Sequence, residues 1–244
     1  ENGSVGMEST GTIKIFRGVT TGYNPAFIID EGKRNELIKE NKSSKAIIKP
    51  LLQGRNIRKW IFNKTSDYII FSRKGIDINE YPAIKKHLHK FIQQLEPGVG
   101  RKAGTYNWFE IQDNTAYYPE FEKEKIIWGL TSDKWTFAYD NENNFLPSNG
   151  YILTSTEIPI KYLLALMNSR LMEYYFGFIG IMTAGGAFTL KQETVSEFPI
   201  KIVSKEKQNS FITKVDKILS LKKQNKDTTS LEREIDGLVY RLYE

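Results

Sequence analysis

Asp30, Glu31 and Lys33 are the first residues along the chain whose types and spacing could support catalysis. Carboxylates and a lysine that converge around one or two Mg²⁺ ions form the site of a metal-dependent nuclease. Nothing upstream completes such a set, and chance supplies these residues readily in a chain with 35 Lys or Arg and 29 Asp or Glu. We therefore interpret this segment as a solvated turn without a catalytic residue.

A second segment with chemical potential is Asn24-Pro25-Ala26-Phe27. It is similar to the Asn-Pro-Pro-aromatic tetrapeptide with which adenine-N6 methyltransferases hold the target amino group, but Ala26 stands in place of the second proline. A methyltransferase also needs a Gly-rich strand-turn-helix unit for its cofactor, and none follows. We predict no methylation site here.

The histidines and the absence of cysteine bear on metal binding and nucleophilic catalysis. His87 and His89 are two residues apart, so on a helix they point to different faces. Without cysteine there is no thiolate zinc ligand, no disulfide and no cysteine nucleophile. We predict no metal site and no catalytic residue. The lack of cysteine fits an intracellular protein, which we expect to be cytoplasmic.

Other functional classes lack their motifs. We find no phosphate-binding loop, no dinucleotide-binding glycine pattern and no Gly-x-Ser-x-Gly nucleophile turn. The best candidate for a membrane span, residues 162–181, is interrupted by Asn168, Arg170 and Glu173, so no span is predicted. Hydrophobic residues make up 40% of the chain, enough for a substantial core, and the net charge of +6 favours a polyanionic partner.

Three segments combine cations with amides, hydroxyls and aromatic rings: residues 17–24, 53–60 and 101–108. Cations contact phosphates, whereas Arg, Lys, Asn, Gln, Ser and Thr reach base edges. The candidate DNA-binding residues are Arg17, Thr20, Thr21, Asn24, Arg55, Arg58, Arg101, Lys102, Tyr106 and Trp108. Other interpretations remain open, because Trp60 and Trp108 also suit packing and Gly22 and Gly54 also suit left-handed turns.

The elements that position these loops follow from hydrophobic periodicity. Strands are predicted near residues 13–19, 46–52, 68–71, 125–131, 135–139 and 151–154. One helix is expected from Tyr81-Pro82 to Pro97-Gly98, and another over about residues 158–176. Strands mixed with inserted helices indicate an α+β fold, with a mainly β core, and not a doubly wound sheet.

The two ends of the chain differ from this core. Residues 1–11 are small and polar, and we predict a flexible lead-in. Residues 204–244 predict two helices with apolar stripes, joined by a polar stretch in which Thr229 and Glu232 form a capping-box pattern. This pair could pack on the same domain or project as a coiled-coil arm, and both alternatives remain open.

Seven motifs in register resemble the TaqI-like C-terminal specificity domain of type IIG and related Eco57I-type restriction-modification enzymes. The signature Gly-x-x-Thr-Gly-x-Asn-x-Ala-Phe is matched at residues 18–27. Further matches follow in the family's order: Lys-Pro-Leu-Leu-Gln-Gly-Arg-Asn-Ile at 49–57, Tyr-Pro-Ala-Ile at 81–84, Lys-Ile-Ile at 125–127, Leu-Leu-Ala-Leu-Met-Asn-Ser at 163–169, Glu-Phe-Pro-Ile at 197–200 and Glu-Ile-Asp-Gly-Leu-Val-Tyr-Arg-Leu-Tyr at 234–243.

The resemblance implies a target recognition domain over residues 12–203 that grips double-stranded DNA while a neighbouring domain methylates an adenine. It implies that residues 204–244 are a spacer that docks on a DNA methyltransferase domain or subunit. S-adenosylmethionine and Mg²⁺ are then expected only in catalytic domains that this chain lacks. The resemblance also makes Asn24-Pro25 part of the signature, where Gly22 and Ala26 could serve the scaffold.

The sequence therefore predicts a non-catalytic module that reads duplex DNA, from the major groove, where all base pairs are distinguishable. Arg55, Arg58, Arg101 and Lys102 would contact phosphates or guanine edges, while Thr20, Thr21 and Asn24 would shape or line the groove face. Three alternatives remain: an enzyme with a degenerate site, a protein-protein docking module without DNA binding of its own, and an RNA-binding protein.

Overall fold

The computed structural model describes residues 4–113 and 115–244. Its strands are β1 Ser4–Gly6, β2 Ile13–Arg17, β3 Ile28–Asp30, β4 Ile48–Pro50, β5 Asp67–Ile70, β6 Lys125–Gly129, β7 Thr131–Ser132, β8 Ala138–Asp140, β9 Gly150–Ser155, β10 Ile181–Met182, β11 Phe188–Thr189 and β12 Pro199–Lys201. Its α-helices are α1 Asn24–Phe27, α2 Glu31–Glu40, α3 Pro82–His89, α4 Ile92–Leu95, α5 Ile160–Met167, α6 Arg170–Ile179, α7 Gln192–Ser196, α8 Lys205–Lys223 and α9 Thr229–Tyr243. The predicted α+β class is confirmed.

A four-stranded antiparallel sheet in the order β2-β9-β6-β8 forms the centre of the fold. Successive residues of a strand face opposite sides of a sheet. Accordingly, Ile126 and Trp128 enter one hydrophobic core, while Ile127 between them enters the other. Strand β6 is buried throughout, which explains the apolar run Ile126-Ile127-Trp128 within it.

The first core lies between the central sheet and the helices of the C-terminal half. The ring of Tyr162 on α5 packs edge-on against Phe211 on α8 at 5.3 Å between centroids. Val215 and Val239, from α8 and α9, are completely buried in the same core. The terminal helical pair therefore packs on the domain in this structure, which is one of the two alternatives that the sequence left open.

The second core lies on the opposite face of the central sheet. It is covered by the three-stranded sheet β3-β5-β4 and by helices α1 to α3. His87 on α3 is buried there, with its Nε2 3.0 Å from the carbonyl oxygen of Ala26 on α1. Burial lowers the pKa of His87, although the hydrogen bond to Ala26 opposes this effect.

The predicted flexible lead-in is corrected by the structure where it is described. Strand β1 pairs antiparallel with β12, with Val5 opposite Ile200. Met7 is completely buried in the first core, and its N–H donates to the carbonyl of Ser196. The prediction for residues 1–3 lies outside the described residues. The sequence gives no local sign of this pairing, because the partner strand β12 lies almost the whole chain away.

Two predicted helices are each divided in the structure. The one expected over residues 158–176 breaks into α5 and α6 because Asn168 turns its side chain onto the backbone of Phe137, whose carbonyl accepts from Nδ2 at 2.9 Å. Ser169 then caps α6 by accepting from the N–H of Met172. The helix expected from Tyr81 likewise breaks between α3 and α4.

Lys125 and Asp140 form an ion pair that lies entirely within the protein. Lys125 Nζ is 2.8 Å from Asp140 Oδ2, and both side chains are 0% exposed. The same ammonium donates to the carbonyl of Phe121 at 2.7 Å. Burial lowers the pKa of Lys125, and the nearby carboxylate opposes that shift. The pair fixes β6 to β8 in the register that places Lys125 opposite Asp140.

Within the described ranges, no helix combines the length and the apolar character needed to cross a membrane.

Candidate nucleic-acid interface

One end of the central sheet gathers segments that are distant in sequence. Strand β2 ends there at Arg17 opposite Tyr151, near the start of β9, and β6 ends there with Gly129 opposite Gly150. We call this end of the sheet the loop end. Beyond it, Val19 bridges to Pro147 and Leu51 bridges to Phe145, so residues 18–22 and 51–58 both continue from this end.

Two glycines of the 18–27 signature are required by close packing. A side chain on Gly18 would place its Cβ 2.1 Å from the carbonyl oxygen of Pro147. Gly22 has a φ of +79°, and a Cβ there would lie 2.7 Å from both Arg101 Cδ and Gln112 Oε1. Only glycine satisfies the backbone conformation and the space together. These signature positions therefore serve the scaffold of the loop end.

The polar residues of the signature mainly hold one another. Thr21 is buried and donates from Oγ1 to Asn24 Oδ1 at 2.7 Å. Asn24 is exposed at the start of α1, followed by Pro25 in the first turn. Thr20 is half-buried, and its carbonyl accepts from the N–H of Asp113. Thr20 and Asn24 thus remain at the surface of the loop end, whereas Thr21 shapes it from within.

Arg101 differs from its prediction as a contact to phosphates or guanine edges. Its side chain is buried, with 5% exposure. All five of its N–H groups donate to backbone carbonyls, those of Leu95, Thr21, Glu110, Asn107 and Trp108. A guanidinium whose donors are all used inside the protein has none left for DNA. We therefore reassign Arg101 to the scaffold of the loop end.

The 101–108 loop is further held by the buried carboxylate of Glu110. Glu110 is 1% exposed and accepts from the N–H of Gly75 through Oε1 and from the N–H of Asn107 through Oε2, both at 2.7 Å. It joins the loop to the segment that carries Lys74. No motif marks Glu110 in the sequence, since only its tertiary partners distinguish it from other glutamates.

Around this scaffold the loop presents an exposed cationic surface. Lys102 is exposed, and the hydroxyl of Tyr106 donates to its carbonyl. Lys74 Nζ lies 3.0 Å from Thr105 Oγ1, which brings a second ammonium beside the loop. Trp108 is half-buried, and its ring packs edge-on against His89 and Phe109. Trp108 therefore belongs to the rim of the loop, where packing already accounts for part of its surface.

A second cationic cleft is formed by the 53–58 segment and the stretch after β6. Arg55 and Arg58 line it, together with Thr131, Ser132, Asp133 and Lys134. Arg55 pairs with Asp67 and donates to Gln53 Oε1 at 2.7 Å, and its side chain is 65% exposed. Arg58 donates from Nη1 to the carbonyls of Arg55 and Ile57. The two arginines are thereby oriented while their guanidinium groups remain at the surface.

Arg17 lies at the edge where β2 leaves the central sheet. It is exposed, and its Nε donates to the carbonyl of Ser148 at 2.5 Å. The hydroxyl of Tyr117 donates to the Arg17 carbonyl at 2.8 Å. The structure thus gathers Arg17, Thr20, Asn24, Arg55, Arg58, Lys102 and Tyr106 at the surface of the loop end. It adds Lys74 and Lys134, which carry no motif in the sequence.

Across residues 4–113 and 115–244, no three His, Asp or Glu side chains are grouped so that they could hold a metal ion.

The comparisons with known proteins agree with this architecture. The family model of the TaqI-like C-terminal specificity domain matches residues 49–200, well over half of the chain. The chain belongs to this specificity-domain family. The resemblance drawn from the motifs is thereby confirmed.

Individual relatives of the specificity domain are distant in sequence. It is 24% identical over 234 residues to the type II methyltransferase M.MjaIV of Methanocaldococcus jannaschii, covering 93% of this chain and 77% of that protein. It shares its fold with the type IIL restriction-modification enzyme MmeI, solved in complex with DNA, at a TM-score of 0.70 and 13% identity over 94% of this chain. The type IIG restriction endonuclease BpuSI gives a TM-score of 0.54 at 12% identity over 99% of this chain.

The specificity domain is much smaller than these solved enzymes. It spans 32% of the MmeI chain and 31% of the BpuSI chain.

Proposed function

We propose that this specificity domain recognises a particular sequence in double-stranded DNA and has no catalytic activity of its own. The observation that carries the proposal is the arrangement of exposed cations at the loop end, where Arg17, Arg55, Arg58 and Lys102 come from three separate segments. Cations fix a protein on the phosphates, and neighbouring arginines and amides read base edges. Membership of the specificity-domain family supports the same function.

The proposal assigns the catalytic steps to other domains. The domain would act with an adenine-N6 methyltransferase domain or subunit, where S-adenosylmethionine and Mg²⁺ would be bound. The relationship to a type II methyltransferase and the fold shared with two restriction-modification enzymes support this partnership. The proposal keeps the predicted boundary between residues 203 and 204. In it, the terminal helices dock on the methyltransferase partner.

The decisive experiment is selection of duplexes from a randomised pool, followed by titration of the enriched duplex at several salt concentrations. We expect an enriched motif and an affinity that falls steeply with salt, since each phosphate contact releases counterions. The Arg58→Ala variant should lose affinity, and Lys207→Ala, an exposed change on the first turn of α8, should not. Absence of both enrichment and salt-sensitive binding would favour the alternative of a protein-docking module.

A second assay separates recognition from catalysis. The domain alone should transfer no methyl group from S-adenosylmethionine to the enriched duplex and should not cleave it in the presence of Mg²⁺. Methylation or cleavage by the isolated domain would contradict the proposed non-catalytic role.

A further inference from the structure

A tight turn joins Arg58, which lies at the loop end, to Lys59, which contacts the terminal helices. Residues 57–62 form it, closed by the bridge between Ile57 and Phe62 and by the bond from the N–H of Arg58 to the carbonyl of Ile61 at 2.9 Å. We call residues 57–62 the Arg58 turn. Trp60 within it has a φ of +79°, a left-handed conformation that is unfavourable for a bulky residue. Such a turn persists only where its surroundings hold it.

Trp60 is held on the side of the central sheet. Its N–H donates to the carbonyl of Phe137 at 2.9 Å, and its carbonyl accepts from the N–H of Tyr139 at 3.0 Å. Its side chain is 1% exposed in the first core. These contacts fix the middle of the Arg58 turn, and the carbonyls of Arg55 and Ile57 accept from the Arg58 guanidinium. They leave the Lys59 side chain to other partners.

Those partners come from the terminal helical pair. Glu232 on α9 lies 3.4 Å from Lys59 Nζ and 3.0 Å from Lys222 Nζ at the end of α8. Thr228 donates to the same carboxylate from Oγ1 at 2.6 Å. One carboxylate thus joins the Arg58 turn to both terminal helices.

The surroundings of Glu232 are unlike those of a surface ion pair. Its side chain is 20% exposed, and the Lys59 and Lys222 side chains are 30% and 29% exposed. The buried indole Nε1 of Trp60 lies outside hydrogen-bonding geometry with any described residue. Burial raises the pKa of Glu232, but the hydrogen bond from Thr228 and the ion pair with Lys222 outweigh it, so the pKa lies below its usual value. The carboxylate is therefore charged near neutral pH.

We propose that Glu232 is a positioning residue for DNA recognition, which acts through Lys59 to set the orientation of the Arg58 turn at the loop end. This inference rests on the proposed function. The terminal helical pair then contributes to the recognition of base pairs, because it supplies the Glu232 carboxylate that holds the Arg58 turn in place. A displacement of the pair would then change which base pairs the domain distinguishes.

The test compares Glu232→Gln with Glu234→Gln. Glu234 lies on the same helix and pairs with Lys214, so its replacement removes an ion pair within the terminal helices but leaves the Arg58 turn untouched. The duplex selected by the wild-type chain is the probe, together with versions that carry one substituted base pair. The ratio of their affinities is measured, and the thermal midpoint of each variant is followed in parallel.

We expect Glu232→Gln to lose discrimination by about fivefold at the same base pairs as Arg58→Ala, and the double variant to be no worse than Arg58→Ala alone. Glu234→Gln should discriminate as the wild type does. If Glu232→Gln is poorly folded, Lys59→Gln should reproduce the same pattern from the other side of the contact. A purely structural role would instead lower the affinity for all duplexes alike.

Unchanged discrimination in Glu232→Gln, or losses that add to those of Arg58→Ala, would overturn the inference and leave the proposed function intact. Failure of the wild-type chain to bind any duplex would overturn both, and it would be seen before any variant is made.

Discussion

Arg101 Nη1 donates to the carbonyl oxygen of Thr21 at 3.0 Å and so ties the 101–108 loop to the 18–27 signature. The two residues are 80 positions apart, and both are buried. The loop end depends on this contact because the same guanidinium organises four further carbonyl groups around it.

Replacement of Arg101 by Lys or Ala should therefore destabilise the domain. Hydrogen bonds to a charged group contribute about 1.5–3 kcal/mol each, and buried carbonyls left without a donor add a further cost. We expect a loss of at least about 3 kcal/mol in the free energy of unfolding, measured by urea denaturation. Lysine should not rescue the variant, since a single ammonium cannot match a planar fork of five donors. A stability loss below about 1 kcal/mol for Arg101→Ala would contradict the scaffold role.

Lys102→Ala should behave in the opposite way to Arg101→Ala. Its side chain is exposed beside Tyr106, so the free energy of unfolding should change by less than about 0.5 kcal/mol. Affinity for the selected duplex should fall, and the slope of log affinity against log salt should decrease by about 1 if Lys102 contacts a phosphate. An unchanged slope would remove Lys102 from the interface.

Gly22→Ala should destabilise the loop end even though alanine is small. The residue has a φ of +79°, and the added Cβ would meet Arg101 Cδ and Gln112 Oε1 at 2.7 Å. We expect a loss of about 1–3 kcal/mol in the free energy of unfolding. Gly75→Ala is a matched control with a φ of +82° and no atom within 4 Å of the new Cβ. It should be less destabilising, because it carries only the backbone strain.

The buried pair of Lys125 and Asp140 predicts a non-additive mutational cycle. Lys125→Met leaves a buried carboxylate without its cation, and Asp140→Asn leaves a buried ammonium, so each should cost about 3–5 kcal/mol. The double variant should be less destabilised than the sum of the two, because neither charge then remains unpaired. Additive losses in urea denaturation would show that the two charges do not interact.

His87 predicts a pH dependence of stability. Burial lowers its pKa in the folded protein below the ordinary value of 6.5, so the unfolded chain binds the proton more readily. The neutral ring therefore contributes stability that is present above about pH 6.5 and is lost as the pH falls through the lowered pKa of His87 in the folded protein.

A variant removes this titration. The difference in unfolding free energy between about pH 7.5 and about pH 5 should be smaller in His87→Gln than in the wild type. The reason is that Gln can still donate to the Ala26 carbonyl without taking up a proton. The same change at the exposed His89 serves as a control and should preserve the wild-type difference. Equal pH dependence in His87→Gln and the wild type would show that His87 does not control it.

The sequence by itself determined the α+β class, the family and the loops that carry the candidate residues. These rest on local information, since periodicity marks strands and helices and the family motifs are short stretches of sequence. The contacts that require glycine at positions 18 and 22 are tertiary, because they come from Pro147, Arg101 and Gln112. The tertiary structure decided how each candidate is used. Arg101 and Lys102 are adjacent in the chain, yet Arg101 is buried among five carbonyls while Lys102 faces solvent.

The same limit applies to the ends of the chain. The pairing of β1 with β12 and the contact of Glu232 with Lys59 join segments that are far apart in sequence. Neither leaves a local pattern, because a short polar strand resembles a linker and a carboxylate on a helix resembles a solvated charge. Their roles follow from partners that only the folded chain brings within hydrogen-bonding distance.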